Sequence, residues 1–385
     1  MRHDDPSDHR HRSANATIRD TAPRAAVSDR SKADRAIAYW LFAVSALVFC
    51  MVVLGGVTRL TESGLSIVEW QPLVGTIPPL SEADWRTLFV KYQATPEYQK
   101  VNLGMSLDGF KEIFWLEYLH RLLGRAIGVA FLVPFAYFLI RRRIRRGLAP
   151  RLVIMFVLGG LQGVLGWYMV KSGLVDRPDV SAYRLAAHLL LATAIYIYMI
   201  WVALDLLNPR GPNPRQGRGH RIVRVYAPAL LGVSLITLIA GAFVAGNDAG
   251  FAYNTFPLMG DTMVPADLFI YQPGWRNFFE SVPLVQLNHR LLAYLTVLGA
   301  LGLFVASGAY GWRSGLSSEA RRVIWLVFAV TLGQFALGLS TLLLYVPIPL
   351  AAAHQGGALL LLTALIWAYH AVRRAEPMPG AVCGA

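Results

Sequence analysis

Charge is what this sequence has least of. Asp, Glu, Lys and Arg make up only 15% of its 385 residues, where a soluble domain carries about 25%. Together with 55% hydrophobic residues and a mean hydropathy of +0.45, that scarcity excludes a disordered chain, a disulfide scaffold and an ordinary cytosolic enzyme. Cysteine is nearly absent too. Cys50 lies inside an apolar run and Cys383 near the C-terminus, so no structural disulfide is expected. No CxxC or CxxCH occurs, which argues against a zinc ribbon and against covalent c-type heme attachment.

What is present is apolar length. Eight stretches reach the roughly 20 residues that a helix needs to cross a bilayer: 36–60, 113–140, 152–170, 183–207, 222–245, 282–305, 323–345 and 350–372. Membrane β-strands are about half as long and alternate in polarity, so the expected class is an all-α integral membrane protein with eight transmembrane helices. With a cytoplasmic N-terminus, the inside segments hold 24 Lys and Arg and the outside segments 9, and Arg121, Arg125 and Arg290 lie within spans. Positive residues gather on the cytoplasmic side, so both termini are expected there. The formal charge of +13 is then accounted for by topology, with no nucleic-acid partner.

The first 35 residues are polar and include His3, His9 and His11. A solvated, disordered tail is expected there in preference to a metal-binding one. Its six aspartates argue against a mitochondrial transit peptide, which is acid-poor, and for a bacterial inner membrane. No cleavable signal peptide is expected, because the first apolar run is long enough to span. Two long outer connections, 61–112 with Trp70, Pro72, Pro78, Pro79 and Trp85, and 246–281 with Pro257, Pro265 and Pro273, are expected to shield or line a site.

The chain repeats itself. Gly55-Gly56-Val57-Thr58 and Gly64 match Gly241-Ala242-Phe243-Val244 and Gly250 at an offset of 186. Leu119-His120-Arg121-Leu122-Leu123 matches Asn288-His289-Arg290-Leu291-Leu292 at 169, the run from Leu161-Gln162 to Gly166 matches that from Gly333-Gln334 to Gly338 at 172, and Ala186-Ala187-His188 matches Ala352-Ala353-His354 at 166. The matches keep their order, and the period is too long for a solenoid. Each half holds an even number of spans, so the repeat is parallel, with a pseudo-twofold axis along the membrane normal. The expected organisation is a tail (1–35), a four-helix bundle (36–208), a cytoplasmic linker (209–221), a second tandem four-helix bundle (222–374) and a tail (375–385).

His120, His188, His289 and His354 fall in spans two, four, six and eight, each about four to seven residues after its span begins. At about 1.5 Å per residue they share one depth, roughly 6–10 Å below the outer end. Ionisable side chains inside a span usually mark function, although a lone histidine also serves as an interhelical hydrogen-bonding group. Two pairs at one depth, repeated by duplication, point to metal ligation. Zinc wants four protein ligands, or three and water, and each half supplies two imidazoles and no thiolate. Two axial imidazoles suffice for heme iron, so one heme per bundle is expected. Arg121 and Arg290 follow a histidine in each half. They are candidates for pairing with heme propionates, with snorkelling as the plain alternative. Arg125 has no counterpart, since Tyr294 stands at its match. Glu117 precedes His120 by three residues, where the second half has Gln286. Positions i and i+3 share a helix face, which makes Glu117 a candidate proton acceptor or charge stabiliser beside the first heme; the alternative is a hydrogen bond to a loop or to a ring nitrogen.

The Gly-Gly-x-Thr-Arg-Leu-Thr-x-Ser-Gly-Leu-Ser run at 55–66, the Glu-x-x-His-Arg of 117–121 and the later histidines resemble heme A synthase, and the similarity covers about 34–374. The resemblance implies oxidation of the methyl group on porphyrin carbon 8 of heme O to a formyl group, giving heme A. It implies that His289 and His354 hold a heme b cofactor, that His120 and His188 hold the substrate heme, and that Glu117 is the acidic residue of the substrate site. It also implies heme O synthase and cytochrome oxidase assembly factors as partners in the lipid bilayer, and it leaves a homo-oligomer open. Some bacterial members carry a cysteine pair in the first outer loop. None stands in 61–112, so this chain looks like the cysteine-free type of proteobacteria and mitochondria. A di-heme b-type cytochrome taking electrons from quinol is the alternative, and a repeat-built transporter without heme is a third reading; transporters place their sites nearer the midplane.

Overall fold

The computed structural model describes residues 21–69, 74–173, 180–208, 218–309 and 315–373, with the side chains of 21–30, 74 and 172–173 left aside. Every regular element among them is helical. The chain runs through α1 (Thr21–Leu60), α2 (Glu82–Gln93), α3 (Pro96–Lys100), α4 (Leu107–Ile140), α5 (Ala149–Gly173), α6 (Ala182–Leu207), α7 (Arg218–Gly246), α8 (Asn277–Glu280), α9 (Val282–Ser307), α10 (Ser318–Leu343) and α11 (Ile348–Arg373). Eight of these, α1, α4–α7 and α9–α11, are long and apolar enough to span a membrane, and they coincide with the eight apolar runs. The chain is an eight-span, all-helical membrane protein. Helix α5 shows why lipid is needed: Val153, Ile154, Phe156, Val157, Leu161 and Val164 are all exposed, a stripe that only hydrocarbon can cover.

Two helices reach further than their apolar runs. Helix α1 begins at Thr21, inside the segment read as a tail, and residues 1–20, with His3, His9 and His11, lie outside the described residues. Helix α4 begins at Leu107, where the Ser106 hydroxyl accepts from the Gly109 N–H and caps the first turn. Its early turns therefore stand clear of the apolar run. Most of the expected linker (209–217), the expected tail (375–385, with Cys383), and Trp70 and Pro72 also lie outside the described residues. Cys50 is an exposed free thiol on α1.

Composition did not reveal that the first outer connection carries α2 and α3. Ser81 and Asp84 form a reciprocal capping box at the start of α2, and Thr95 caps α3 with Pro96 at its first position. They pack on the projecting end of α4 through Tyr92, Phe110, Phe114 and Tyr118, with Tyr92 stacked on Phe110 at 5.1 Å.

Within the spans, one apolar core is built from α1, α4, α5 and α6, and Leu359, Leu362 and Ile366 of α11 reach into it. A second is built from α7, α9, α10 and α11. The two meet where α6 lies on α7 and α1 on α11. There the Tyr196 hydroxyl bonds Thr363 Oγ1 at 2.8 Å. At the end of the bundle where α1 and α7 finish, Arg59 Nη2 reaches Asp248 Oδ1 at 3.0 Å, and the Tyr183 hydroxyl donates to Glu280 at 2.9 Å.

The α6–α7 contact is close because Gly246 faces Ala182: a Cβ added at Gly246 would lie 2.7 Å from the Ala182 Cα and Cβ. Neither atom can swing aside. Gly246→Leu is therefore expected to destabilise the detergent-solubilised protein by about 2 kcal/mol, the usual scale of overpacking, read as a lowered unfolding midpoint. A midpoint equal to the wild type would show that the two helices part freely.

Candidate functional site

The four histidines lie on α4, α6, α9 and α11. His188, His289 and His354 stand six (182 to 188), seven (282 to 289) and six (348 to 354) residues into their helices, about 10 Å of axial rise. His120 lies thirteen residues into its own (107 to 120), because α4 begins at Leu107, ahead of its apolar run at 113.

Each imidazole rests on a glycine of the preceding span. A Cβ added at Gly55 of α1 would lie 3.1 Å from His120 Nε2, one at Gly166 of α5 3.0 Å from His188 Cε1, one at Gly241 of α7 3.0 Å from His289 Cε1, and one at Gly338 of α10 2.6 Å from His354 Cε1. At Gly338 an added Cβ would force the ring to move, and at the other three it would press the ring back by a few tenths of an ångström. Four glycines thus let four rings lie against a neighbouring backbone. The sequence comparison had aligned these glycines between the halves without pairing them to the histidines. The signal was there: one glycine on the span before each histidine, toward the same membrane face.

Polar contacts fix several rings. His289 Nδ1 lies 3.1 Å from the Thr237 carbonyl oxygen. A carbonyl only accepts, so Nδ1 carries the hydrogen and Nε2 is left with its lone pair, the state of a metal-binding imidazole. Gln162 Nε2 donates to the His188 carbonyl at 3.0 Å and reaches His188 Nδ1 at 3.1 Å; its repeat equivalent Gln334 donates to the His354 carbonyl at 2.8 Å. His354 Nδ1 is buried with no hydrogen-bond partner. The rings of His289 and His354 are 6.4 Å apart, with planes at 88°. Two imidazoles on opposite sides of one ion, with metal–nitrogen bonds of about 2 Å and ring centres about 1.2 Å beyond each nitrogen, would be spaced about 6.4 Å apart.

This donor set fits a macrocyclic metal better than a bare one. Among the described residues no group of three or more His, Cys, Asp or Glu could hold an ion. A porphyrin brings four nitrogens of its own and asks the protein for two axial ligands.

Glu117 is 2% exposed. Its Oε2 accepts from the Ser66 hydroxyl at 2.7 Å and the Ile67 N–H at 2.8 Å. Its Oε1 accepts from Arg121 Nη2 at 2.6 Å and Nε at 3.0 Å. Arg121 also donates to the carbonyls of Ile67 at 2.9 Å and Glu69 at 3.3 Å. The pair is thus a charged clip that fastens the segment after α1 onto α4. The second half builds the same clip from a neutral amide. Gln286 Nε2 donates to the Ala249 carbonyl at 2.9 Å, while Arg290 donates to the carbonyls of Tyr253 at 2.8 Å and Leu258 at 3.1 Å. The backbone repeats as well: Glu62 and Asp248, again 186 apart, both adopt left-handed conformations at φ 53° and 50°. The structure therefore brings Glu117, Arg121 and Ser66 together, directs both arginines at loop carbonyls, and leaves Arg290 Nε buried without a partner. Sequence reasoning gave no role to Ser66, Thr237, Gln162 or Gln334; Ser66 closes the 55–66 run and the two glutamines recur in the repeat, while nothing marked Thr237.

Residues 38–366 match the family COX15-CtaA, described as cytochrome oxidase assembly protein. The heme A synthase of Nitrosospira multiformis is 56% identical over 338 residues, covering 88% of this chain and 94% of that protein. The heme A synthase of Parvibaculum lavamentivorans is 49% identical over 349 residues, covering 90% and 98%. The Arabidopsis thaliana protein, heme A synthase COX15, is 46% identical over 362 residues, covering 91% of this chain and 78% of its own length.

The clip makes a test independent of any ligand. Arg121→Ala leaves the Glu117 carboxylate buried without its cation, at a cost of about 3 kcal/mol or more. It is expected to raise amide hydrogen exchange at Ile67 and in the residues beside it. Unchanged exchange there would mean that Ser66 and the loop backbone suffice.

Proposed function

The chain belongs to the COX15-CtaA family, whose relatives above are heme A synthases, and from that premise we propose how its own residues carry the conversion of heme O to heme A. The enzyme is a multi-pass membrane oxidoreductase, and its substrate and product are hemes. In our reading the two halves are tandem four-helix bundles related by a pseudo-twofold axis. The first holds the substrate heme between His120 and His188. The second holds heme b between His289 and His354. The observation that carries this reading is the fourfold glycine seat: every histidine has one, and the His289–His354 spacing and the ligand-ready tautomer of His289 suit an axial pair.

The asymmetry of the clips divides the labour. Heme b, when bound, supplies a one-electron redox centre. The chain does the rest. His120 and His188 grip and orient the substrate so that its carbon 8 methyl lies toward Glu117. Glu117 lies three residues from His120 on the same helix face and is the basic group of that half. Arg121, Ser66 and the Ile67 N–H hold it in place and balance its charge. When the substrate site needs a proton held, Glu117 Oε2 takes it and the Ser66 hydroxyl turns away. Gln286 cannot do this, so the second half keeps the fastening and loses the acid–base group. Arg290, with its buried unpartnered Nε, is the better placed of the two arginines to meet a propionate, while the donors of Arg121 are spent on Glu117 and the loop. The excess of Lys and Arg on one side supports an inner-membrane orientation with both termini cytoplasmic, the histidines toward the periplasm, and heme O synthase and oxidase assembly factors as neighbours; a homo-oligomer is compatible with it.

Two substitutions test the assignment. His289→Ala is expected to remove the heme b spectrum while the protein still inserts in the membrane; an unchanged spectrum would contradict the ligand. Glu117→Gln is expected to keep bound heme and lower heme A formation by at least ~100-fold, the scale of acid–base catalysis, measured by chromatography of extracted hemes. Full conversion by that variant would make Glu117 structural. Heme B at both sites of purified wild type, with no heme O or A when heme O is supplied, would favour the quinol-linked cytochrome.

A further inference from the structure

The segment that leads into α9 carries large apolar side chains on its surface. Phe269, Ile270, Trp275 and Phe278 are 62, 57, 57 and 48% exposed, a display of the kind that marks contact with a membrane or another protein. It is held rigidly. Asn277 of α8 is fully buried. Its Oδ1 accepts from the N–H groups of Ile270 and Tyr271, both at 2.8 Å, and its Nδ2 donates to the carbonyls of Tyr271 and Gly274, both at 2.9 Å. Phe278 meets Phe269 at 5.9 Å between ring centres. Charge is scarce in residues 262–280: Asp267, and Arg276 paired with Glu280 at 2.6 Å. The first half differs here, because Phe110, Phe114 and Tyr118 at the start of α4 are buried beneath α2 and α3. The exposed cluster also continues into the lipid-facing surface of the spans. Helix α8 ends at Glu280 and α9 begins at Val282, and Leu291, Leu295 and Leu298 of α9 are exposed. Sideways, Glu280 accepts from the Tyr183 hydroxyl at the start of α6. Arg184, next along α6, lies 4.3 Å over the ring of the exposed Tyr168 near the end of α5, the helix whose apolar stripe needs hydrocarbon. Trp and Tyr gather where spans meet the headgroups.

We propose that this platform is a membrane anchor: Phe269, Ile270, Trp275 and Phe278 enter the boundary between phospholipid headgroups and acyl chains at the end of the bundle where α9 begins. The occupant is phospholipid, and neither a second copy of the chain nor a protein partner. Continuity with the lipid-facing spans favours it, and so does the charge pattern, since Arg276 and Glu280 are spent on each other. The four backbone bonds to Asn277 fix the surface before it meets the bilayer, so anchoring costs little ordering. Anchoring in turn holds the start of α9, the helix of His289, at a set depth.

Fluorescence of the full-length protein in phospholipid nanodiscs tests the anchor. Ten tryptophans emit, so the Trp275 signal is read as the difference between wild type and Trp275→Phe. In unbrominated lipid that signal is expected to be blue-shifted and insensitive to iodide in the water. In lipid brominated near the headgroup end of its acyl chains it is expected to be lost. Phe278→Trp, which leaves Trp275 in place, adds a reporter at a second point, and its added emission is expected to be quenched by the same lipid. A Trp275 signal quenched by iodide and indifferent to bromine would place the platform in water. A signal indifferent to both would place it against protein. Either result overturns the proposal, and so does added emission from Phe278→Trp that brominated lipid leaves unchanged.

Discussion

The structure depends on a steric constraint: each of four imidazoles lies against a neighbouring helix at a glycine, where a larger residue would push the ring from its place. Gly55, Gly166, Gly241 and Gly338 each meet one histidine, and a Cβ at any of them would come within 3.1 Å of the ring. The cost of those glycines is weaker intrinsic helix propensity, about 1 kcal/mol each relative to alanine, carried four times. What offsets it is a fixed place for each ring. His289 shows the result: seated on Gly241 and tied to the Thr237 carbonyl, it leaves Nε2 free, 6.4 Å from its partner ring centre to centre. Helix length and the two apolar cores hold these seats in place.

The two sets of four spans carry similar fastenings that differ at one position. Glu117 and Gln286 occupy equivalent places and fasten equivalent loop segments, each with an arginine one turn on. The carboxylate needs Arg121 to be buried at all. The amide needs no counter-charge, so Arg290 spends its donors on carbonyls and retains a free Nε. A single difference, acid against amide, thus separates two otherwise similar fastenings.

Much of this was readable beforehand, for physical reasons. Spans of about 20 apolar residues leave little ambiguity, so all eight helices stand where the apolar runs stand. Histidines in such runs are conspicuous, and three of them stand six or seven residues into their helices. The outer domain was not readable. Helices α2 and α3 are short, mixed in polarity and held by tertiary contacts of Tyr92 and Phe110, which leave no periodic signature. The same goes for Ser66, whose hydroxyl matters only because the chain after α1 folds back on α4. Nor did the sequence show that Arg121 hydrogen-bonds Glu117. A propionate and a carboxylate four residues away are equally good partners on paper, and only the fold places one of them at 2.6 Å.

The central proposal is that His289 and His354, whose ring planes cross at 88°, would hold a heme between them. Electron paramagnetic resonance of the oxidised, purified protein tests it most directly. Two imidazoles with planes near 88° predict a low-spin ferric signal of the highly anisotropic kind, kept in the His120→Ala variant and absent when His354 is changed to alanine. A high-spin signal in the wild type, or a low-spin signal that survives loss of His354, would contradict the account.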